Sequence, residues 1–186
     1  MRKKVLFVGK ATEDLRKEHD SILHVLKILD KMMSTDIRDD SVKFRYYHDL
    51  VYFLTIFADK CHHGKEEKYF FVELVNNGIP DEGGLIGSLL QEHKQSREYV
   101  AMMGKSLESK DLIKFNTVAA KYRDLLRCHI EKENNVLYVM ADQLLDEEIQ
   151  EALFEKFEQH EESVIGHGVH EELHSMIHKW AAEFEV

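Results

Sequence analysis

A single proline, Pro80, interrupts this chain of 186 residues, and glycine occurs only 9 times. Proline and glycine are the residues that break helices and set turns, so their scarcity predicts long uninterrupted helices joined by few turns. Apolar spacing agrees. Leu15, Ile22, Leu26 and Leu29 recur at helical intervals behind Thr12, which reads as an N-cap of a helix ending near Met33. Ser34-Thr35-Asp36 breaks that run, and Ser41 starts a second helix along Phe44, Tyr47, Val51, Leu54, Ala58 and Cys61. Asn76-Asn77-Gly78-Ile79-Pro80 ends it after Val75. A third helix is expected from Leu85 to Leu107, and a fourth from the cap Asp111 to about Leu145, with Phe115, Val118, Tyr122, Leu125, Leu126 and His129 on one face. Shorter helices follow over Glu147 to Phe157 and Val169 to Phe184, whereas Val5 to Val8 fits either a strand or a docking arm. The expected fold is all-α: an antiparallel up-down four-helix bundle over residues 1–145, with a C-terminal helical extension over 146–186 packed on it.

At 44% apolar residues the chain can build a core. Lys and Arg total 25 against 35 Asp and Glu, a formal charge of −10. That balance argues against nucleic acid, which needs clustered cations, and against an anionic membrane surface. The apolar run Val5 to Val8 is too short for a signal segment, and nothing approaches the ~20 apolar residues of a membrane span. Two cysteines cannot make a disulfide framework. A cytoplasmic protein is expected.

The surplus is histidine, 12 in all. On the second helix His63 and Glu67 are four residues apart in His63-Gly64-Lys65-Glu66-Glu67, and on the fourth His129 and Glu133 repeat the spacing in His129-Ile130-Glu131-Lys132-Glu133. Residues at i and i+4 share a helix face, with β-carbons about 5–6 Å apart, so both can reach one metal. The first helix adds His19 and the third His93. Counted at ~1.5 Å per residue from the turns, the positions on the second and third helices agree best in height and those on the first and second least. Four imidazoles and two carboxylates suit two ions, each with two His and both Glu bridging, with room for an oxo or hydroxo bridge and an exogenous ligand. Two divalent ions also offset the cost of burying two carboxylates. Mixed nitrogen and oxygen donors favour iron or manganese over a closed zinc site.

This pattern resembles the hemerythrin-like (HHE cation-binding) family, in which His, His-xxx-Glu, His and His-xxx-Glu follow one another along a four-helix bundle. The resemblance covers about Leu15 to Asp142 and includes Cys61-His62-His63-Gly64-Lys65-Glu66-Glu67, Gly83-Gly84-Leu85-Ile86-Gly87, Glu92-His93 and His129 to Leu137. Carried over by position, the metal ligands are His19, His63, Glu67, His93, His129 and Glu133, and the cofactor is a pair of Fe ions. The aromatic-Pro pair often found after each His-xxx-Glu is replaced by Phe71-Val72 and Leu137-Tyr138. Oxygen-carrying members have five His and a bridging Asp. Four His and two Glu here favour binding or sensing of oxygen, nitric oxide or peroxide over simple oxygen transport, with a di-iron enzyme (peroxide decomposition or iron–sulfur cluster repair) as the alternative. Repair proteins in the wider family carry an N-terminal paired-cysteine domain, and no such pair occurs in this sequence.

Other residues read as bystanders. His62 sits ~100° from His63 on an α-helix and is expected to point away. His24 and His48 are ordinary, while Glu66, Glu92 and Glu131 support the site or lie at the surface. His167, His170, His174 and His178 form a stripe from which His167 or His170 could cover the bundle opening. Cys61 and Cys128 adjoin the two motifs as small core residues or redox-sensitive thiols, and Tyr46, Tyr47, Tyr99 and Tyr122 read as core.

Overall fold

A computed structural model describes residues 8–37, 39–81, 83–164, 166 and 168–186, and every regular element among them is helical. Helix α1 spans Lys10–Ser34. Helix α2 (Asp40–Phe53) runs on through π-helical stretches at Leu54–His63 and Glu66–Phe70 into α3 (Phe71–Asn76). Helix α4 spans Leu85–Glu108. Helix α5 (Leu112–Lys132) passes through a π-helical stretch at Glu133–Leu137 into α6 (Tyr138–Leu144). Helices α7 (Glu147–Val164) and α8 (Val169–Phe184) complete the chain. The expected residues 5–7 of the N-terminal segment, His167 and the His170 side chain lie outside the described residues. Val8 is exposed and has no regular structure.

Local chemistry explains the boundaries. Asp39 caps α2, accepting from the Ser41 amide at 2.9 Å. Asp111 caps α5 through the Lys114 amide, also at 2.9 Å. Thr12 does not cap α1. That helix opens at Gly9, whose N–H donates to the Asp142 carboxylate of α6 at 3.0 Å, while the Thr12 hydroxyl donates to Gly9 O at 2.9 Å. A distant carboxylate thus does the work of a local cap. After α3 the Ile79 amide donates to Leu74 O and the Gly78 amide to Val75 O, both at 3.0 Å, with Gly78 at φ 99. This is the double bond of a Schellman end, and it needs the left-handed conformation that glycine adopts without strain.

Two apolar clusters fill the interior. One joins Ile22 to Met32 of α1 to Tyr47, Phe53 and Phe57, to Met103 of α4, to Phe115 and Tyr122 of α5, and to Leu173, Ile177 and Trp180 of α8. The other joins Ala11 and Leu15 of α1 to Phe70, Leu74, Ile86, Leu89, Leu137, Tyr138 and, from α7, Leu153 and Phe157. Between them along α1, α4 and both π-interrupted helices lies a buried polar layer: His19, His62, His63, Glu66, His93, His129 and Glu133. All seven stand at one level, including His19, whose height the sequence predicted least well. No helix among the described residues is long and apolar enough to cross a membrane.

Candidate metal centre

Two groups of side chains meet in the polar layer. His63, Glu66, His93 and His129 form one, and His19, His62, Glu66 and Glu133 the other. Within each, one donor atom per residue lies within 4.8 Å of all the others. Glu66 belongs to both. Glu133 also links them, its Oε2 lying 3.1 Å from His19 Nε2 and 3.2 Å from His129 Nε2.

The structure therefore brings together His19, His63, His93, His129 and Glu133 of the expected set, and adds His62 and Glu66. Glu67 stands outside. Its Oε1 accepts from the outward-facing Nδ1 of His93 at 2.8 Å and from Arg97 at 2.7 Å. The correction comes from helical winding. An i→i+5 hydrogen bond puts more residues into each turn, so neighbours are separated by less than the ~100° of an α-helix. His62 and His63 then both face the centre. From the inner face Glu66 sits four residues after His62, and Glu67 rotates outward. A rare π-helical segment leaves no reliable mark in apolar periodicity, so α-helical geometry set His62 aside and took Glu67 in place of Glu66. The doubled signal His62-His63 and Glu66-Glu67 was the trace that could have raised the question.

Four of the five imidazoles are hydrogen-bonded from behind. His62 Nδ1 pairs with Glu18 Oε2 at 2.8 Å, His129 Nδ1 with Glu92 Oε2 at 2.9 Å, and His19 Nδ1 with Asn134 Oδ1 at 2.9 Å. His63 Nδ1 faces Asp59 at 3.5 Å, and His93 Nδ1 meets Glu67. A carboxylate only accepts, so an imidazole paired with one carries its proton on Nδ1 and turns the Nε2 lone pair inward. Asp59 and Glu67 are in turn bound by Arg97, and Glu92 by Lys132.

Inside, donors and acceptors do not match. The Nε2 atoms of His62 and His63, Glu66 Oε2 and both oxygens of Glu133 are buried without a hydrogen-bond partner, as is His63 Nδ1 on the outer side of its ring. Leaving such groups unpaired is costly. Five inward nitrogens and two carboxylates, with the His62 and His63 nitrogens and three of the carboxylate oxygens unpartnered, are the donor set that a cation satisfies, so these residues fit a metal centre. Protonation reports the same tension. Burial, with the neighbouring Glu133 charge, pushes Glu66 well above the usual carboxylate range. Burial opposes charge on Glu133 too, but His129 and His19 hold it well below that range. Burial lowers His63 to about 3, and lowers His62 as well. Burial also works against charge on His129, yet Glu133 and Glu92 raise it to about 9.

Tyr138 closes one side of the layer, donating to Glu66 Oε1 at 2.7 Å, with its ring stacked on His19. Cys61 is buried with its Sγ 3.8 Å from Glu18, and burial pushes its thiol up. Cys128 is exposed. Of the C-terminal stripe, His174 lies 5.9 Å from the Phe57 ring, within the first apolar cluster. His48 and His24 join neither group.

Comparison with known families agrees with this geometry. The chain matches the description "Hemerythrin HHE cation binding domain" over residues 10–141, which runs from the first residue of α1 into α6 and contains every residue of both groups. No curated protein matches it.

Proposed function

On the premise that the chain belongs to the hemerythrin HHE cation-binding family, we propose that it holds two iron ions and binds or senses a small oxidant or diatomic molecule: oxygen, nitric oxide or peroxide. One observation carries the reading. Four imidazoles are hydrogen-bonded at Nδ1 from outside and the fifth, His63, faces Asp59 there, while inward atoms of His62, His63, Glu66 and Glu133 are short of partners. A hydrogen-bonded core would satisfy both faces.

His63, His93 and His129 would hold one ion and His19 and His62 the other, with Glu66 and Glu133 shared. Bound iron would supply redox chemistry and a site for a small ligand. The ion with two imidazoles has one protein donor fewer and would be where that ligand enters, beside Tyr138. Glu67 becomes an orienting group for His93. The count of five His now matches the oxygen-carrying members, while Glu66 and Glu133 still stand where those members have a bridging Asp.

The same reading takes residues 1–145 as an antiparallel up-down bundle with 146–186 as its extension. It sets the protein in the cytoplasm without nucleic-acid or membrane partners, in keeping with the charge of −10 and two unpaired cysteines. Anaerobic iron loading followed by oxygen and nitric oxide titration tests it. Two irons per chain and oxo-bridged ferric absorption after oxygen are expected. Zinc alone, in protein expressed with iron available, would overturn it. Sustained turnover of peroxide would shift the reading to an enzyme.

A further inference from the structure

Behind His62 lies a second buried charge cluster that joins the centre to the part of the chain beyond the family match. The Lys65 side chain is 1% exposed. Its ammonium donates to Glu18 Oε1 at 2.9 Å, to Asp14 Oδ2 at 3.2 Å and to Glu161 Oε2 at 3.2 Å. An ammonium has three protons, and three carboxylates take them. Glu18 is the bridge, since its other oxygen accepts from His62 Nδ1 at 2.8 Å. Glu18, Cys61 and Glu161 by themselves would pass for a cation site, and the Lys65 ammonium is the cation bonded to both carboxylates.

Asp14 and Glu18 come from α1 and Lys65 from the residues between the two π-helical stretches, but Glu161 comes from α7, which begins after residue 141. Its neighbour His160 packs on the same segment. His160 Nε2 donates to Lys60 O at 2.9 Å, and a Cβ on Gly64 would sit 2.6 Å from that nitrogen. Helix α7 therefore rests directly on the turn that carries His62, His63 and Glu66.

We propose that Lys65 is a positioning residue of the metal centre: it clamps Glu18 onto His62 Nδ1, and through Glu161 it makes α7 part of the support of one of the two ions. This rests on the two-iron reading. An unclamped Glu18 could swing from His62, and the ring would lose the contact that fixes its tautomer and direction. Partners of this kind are worth ~10–100-fold in metal affinity. The ion held by His63, His93 and His129 has separate supports in Asp59, Glu67 and Glu92, so the effect should fall on one ion only.

The test is the rate at which each iron of the loaded full-length protein passes to a chelator, in wild type, Lys65→Met, Glu18→Gln, Glu161→Gln and the control Glu92→Gln. Lys65→Met leaves three carboxylates without their cation and can fail to fold, so the two Gln variants, checked by thermal melting, carry the result. Glu18→Gln is expected to speed release of one ion ~10–100-fold and Glu161→Gln to speed the same ion by less, while Glu92→Gln speeds the other. Unchanged rates, or equal acceleration of both ions, would overturn the clamp while leaving the two-iron reading intact. Ring-nitrogen NMR of the metal-free protein separates the two ideas. If wild type takes up no iron the centre itself falls, whereas the clamp still requires the His62 Nδ1 proton to be shielded from exchange in wild type and exposed in Glu18→Gln and Glu161→Gln. Equal exchange in all three would sink it.

Discussion

The Nε2 atoms of His93 and His129 face each other at 3.0 Å across the interior, while the Nδ1 of each is bound to a glutamate on the far side of its ring. With both Nδ1 atoms already committed, that inner contact needs a proton on one Nε2, which the raised His129 supplies as a buried positive charge. A bound metal would take the place of that proton and satisfy the unpartnered atoms beside it, so loading should stabilise the fold strongly. At free iron about 100 times the dissociation constant, the folded state should gain ~2.7 kcal/mol per ion. Anaerobic thermal melts with and without ferrous iron check this, and an unchanged melting temperature would count against the centre.

Glu66 and Glu67 should behave differently although they are adjacent. Glu66 faces both histidine groups, whereas Glu67 touches the back of His93. Glu66→Ala is expected to abolish binding of both ions in metal analysis. Glu67→Gln should retain two irons, with affinity lowered ~10–100-fold. The reverse ranking would restore the α-helical register.

The metal-free protein should be most stable near pH 6.5. Burial holds His63 neutral down to about 3, while the unfolded chain takes up that proton at ~6.5, so its stability is complete above ~6.5 and lost as the pH falls toward 3. The lowered His62 adds to the same acid limb. His129 runs the other way. Despite burial it is raised to about 9 by Glu133 and Glu92, so its stability is complete below ~6.5 and lost as the pH rises through 9. Chemical denaturation between these limits should give a dome, and stability rising steadily from acid to pH 9 would contradict the opposed shifts.

Gly64 is helical, so its lack of a side chain serves packing and not backbone conformation. In Gly64→Ala the new methyl should displace His160 from Lys60 O and cost ~1–3 kcal/mol in urea unfolding. In a His160→Ala background the same change should become neutral or favourable by up to ~1 kcal/mol, because alanine is the better helix former. Additive costs would mean that α7 does not rest on this turn.

Asp142 ties the start of α1 to α6, accepting from the Gly9 amide and Arg16. Asp142→Ala leaves the buried Gly9 amide short of a partner and should cost ~1–3 kcal/mol, with faster amide exchange in the first turn of α1. Protection equal to wild type would show that the helix start is held locally.

Much of this was legible without coordinates. The helix ends at Asp111 and at Asn76-Asn77-Gly78 follow from a side-chain cap and from a glycine that lets the following amides turn back on the helix, and the start at Val169 follows from the glycines before it. The cap of α1 was not, because its acceptor, Asp142, is 133 residues from Gly9 in the chain. The two His-xxx-Glu motifs, with His19 and His93, located the centre. Periodicity could not show that His62 joins His63 or that Glu66, not Glu67, faces inward, since that turns on whether the helix closes i→i+4 or i→i+5.

The sequence by itself determined that this protein is helical and that histidine and glutamate gather on its long helices, because helix breaking, capping and i, i+4 proximity are local. Only the tertiary structure decided that His62 and Glu66 face inward, that Glu67 turns back to steady His93, and that Lys65 meets Glu161 from 96 residues away. Those choices depend on how a widened helical turn packs against α1, α4 and α7, and burial makes them binding, since a charged or polar group in the interior must find its partner wherever the fold puts one.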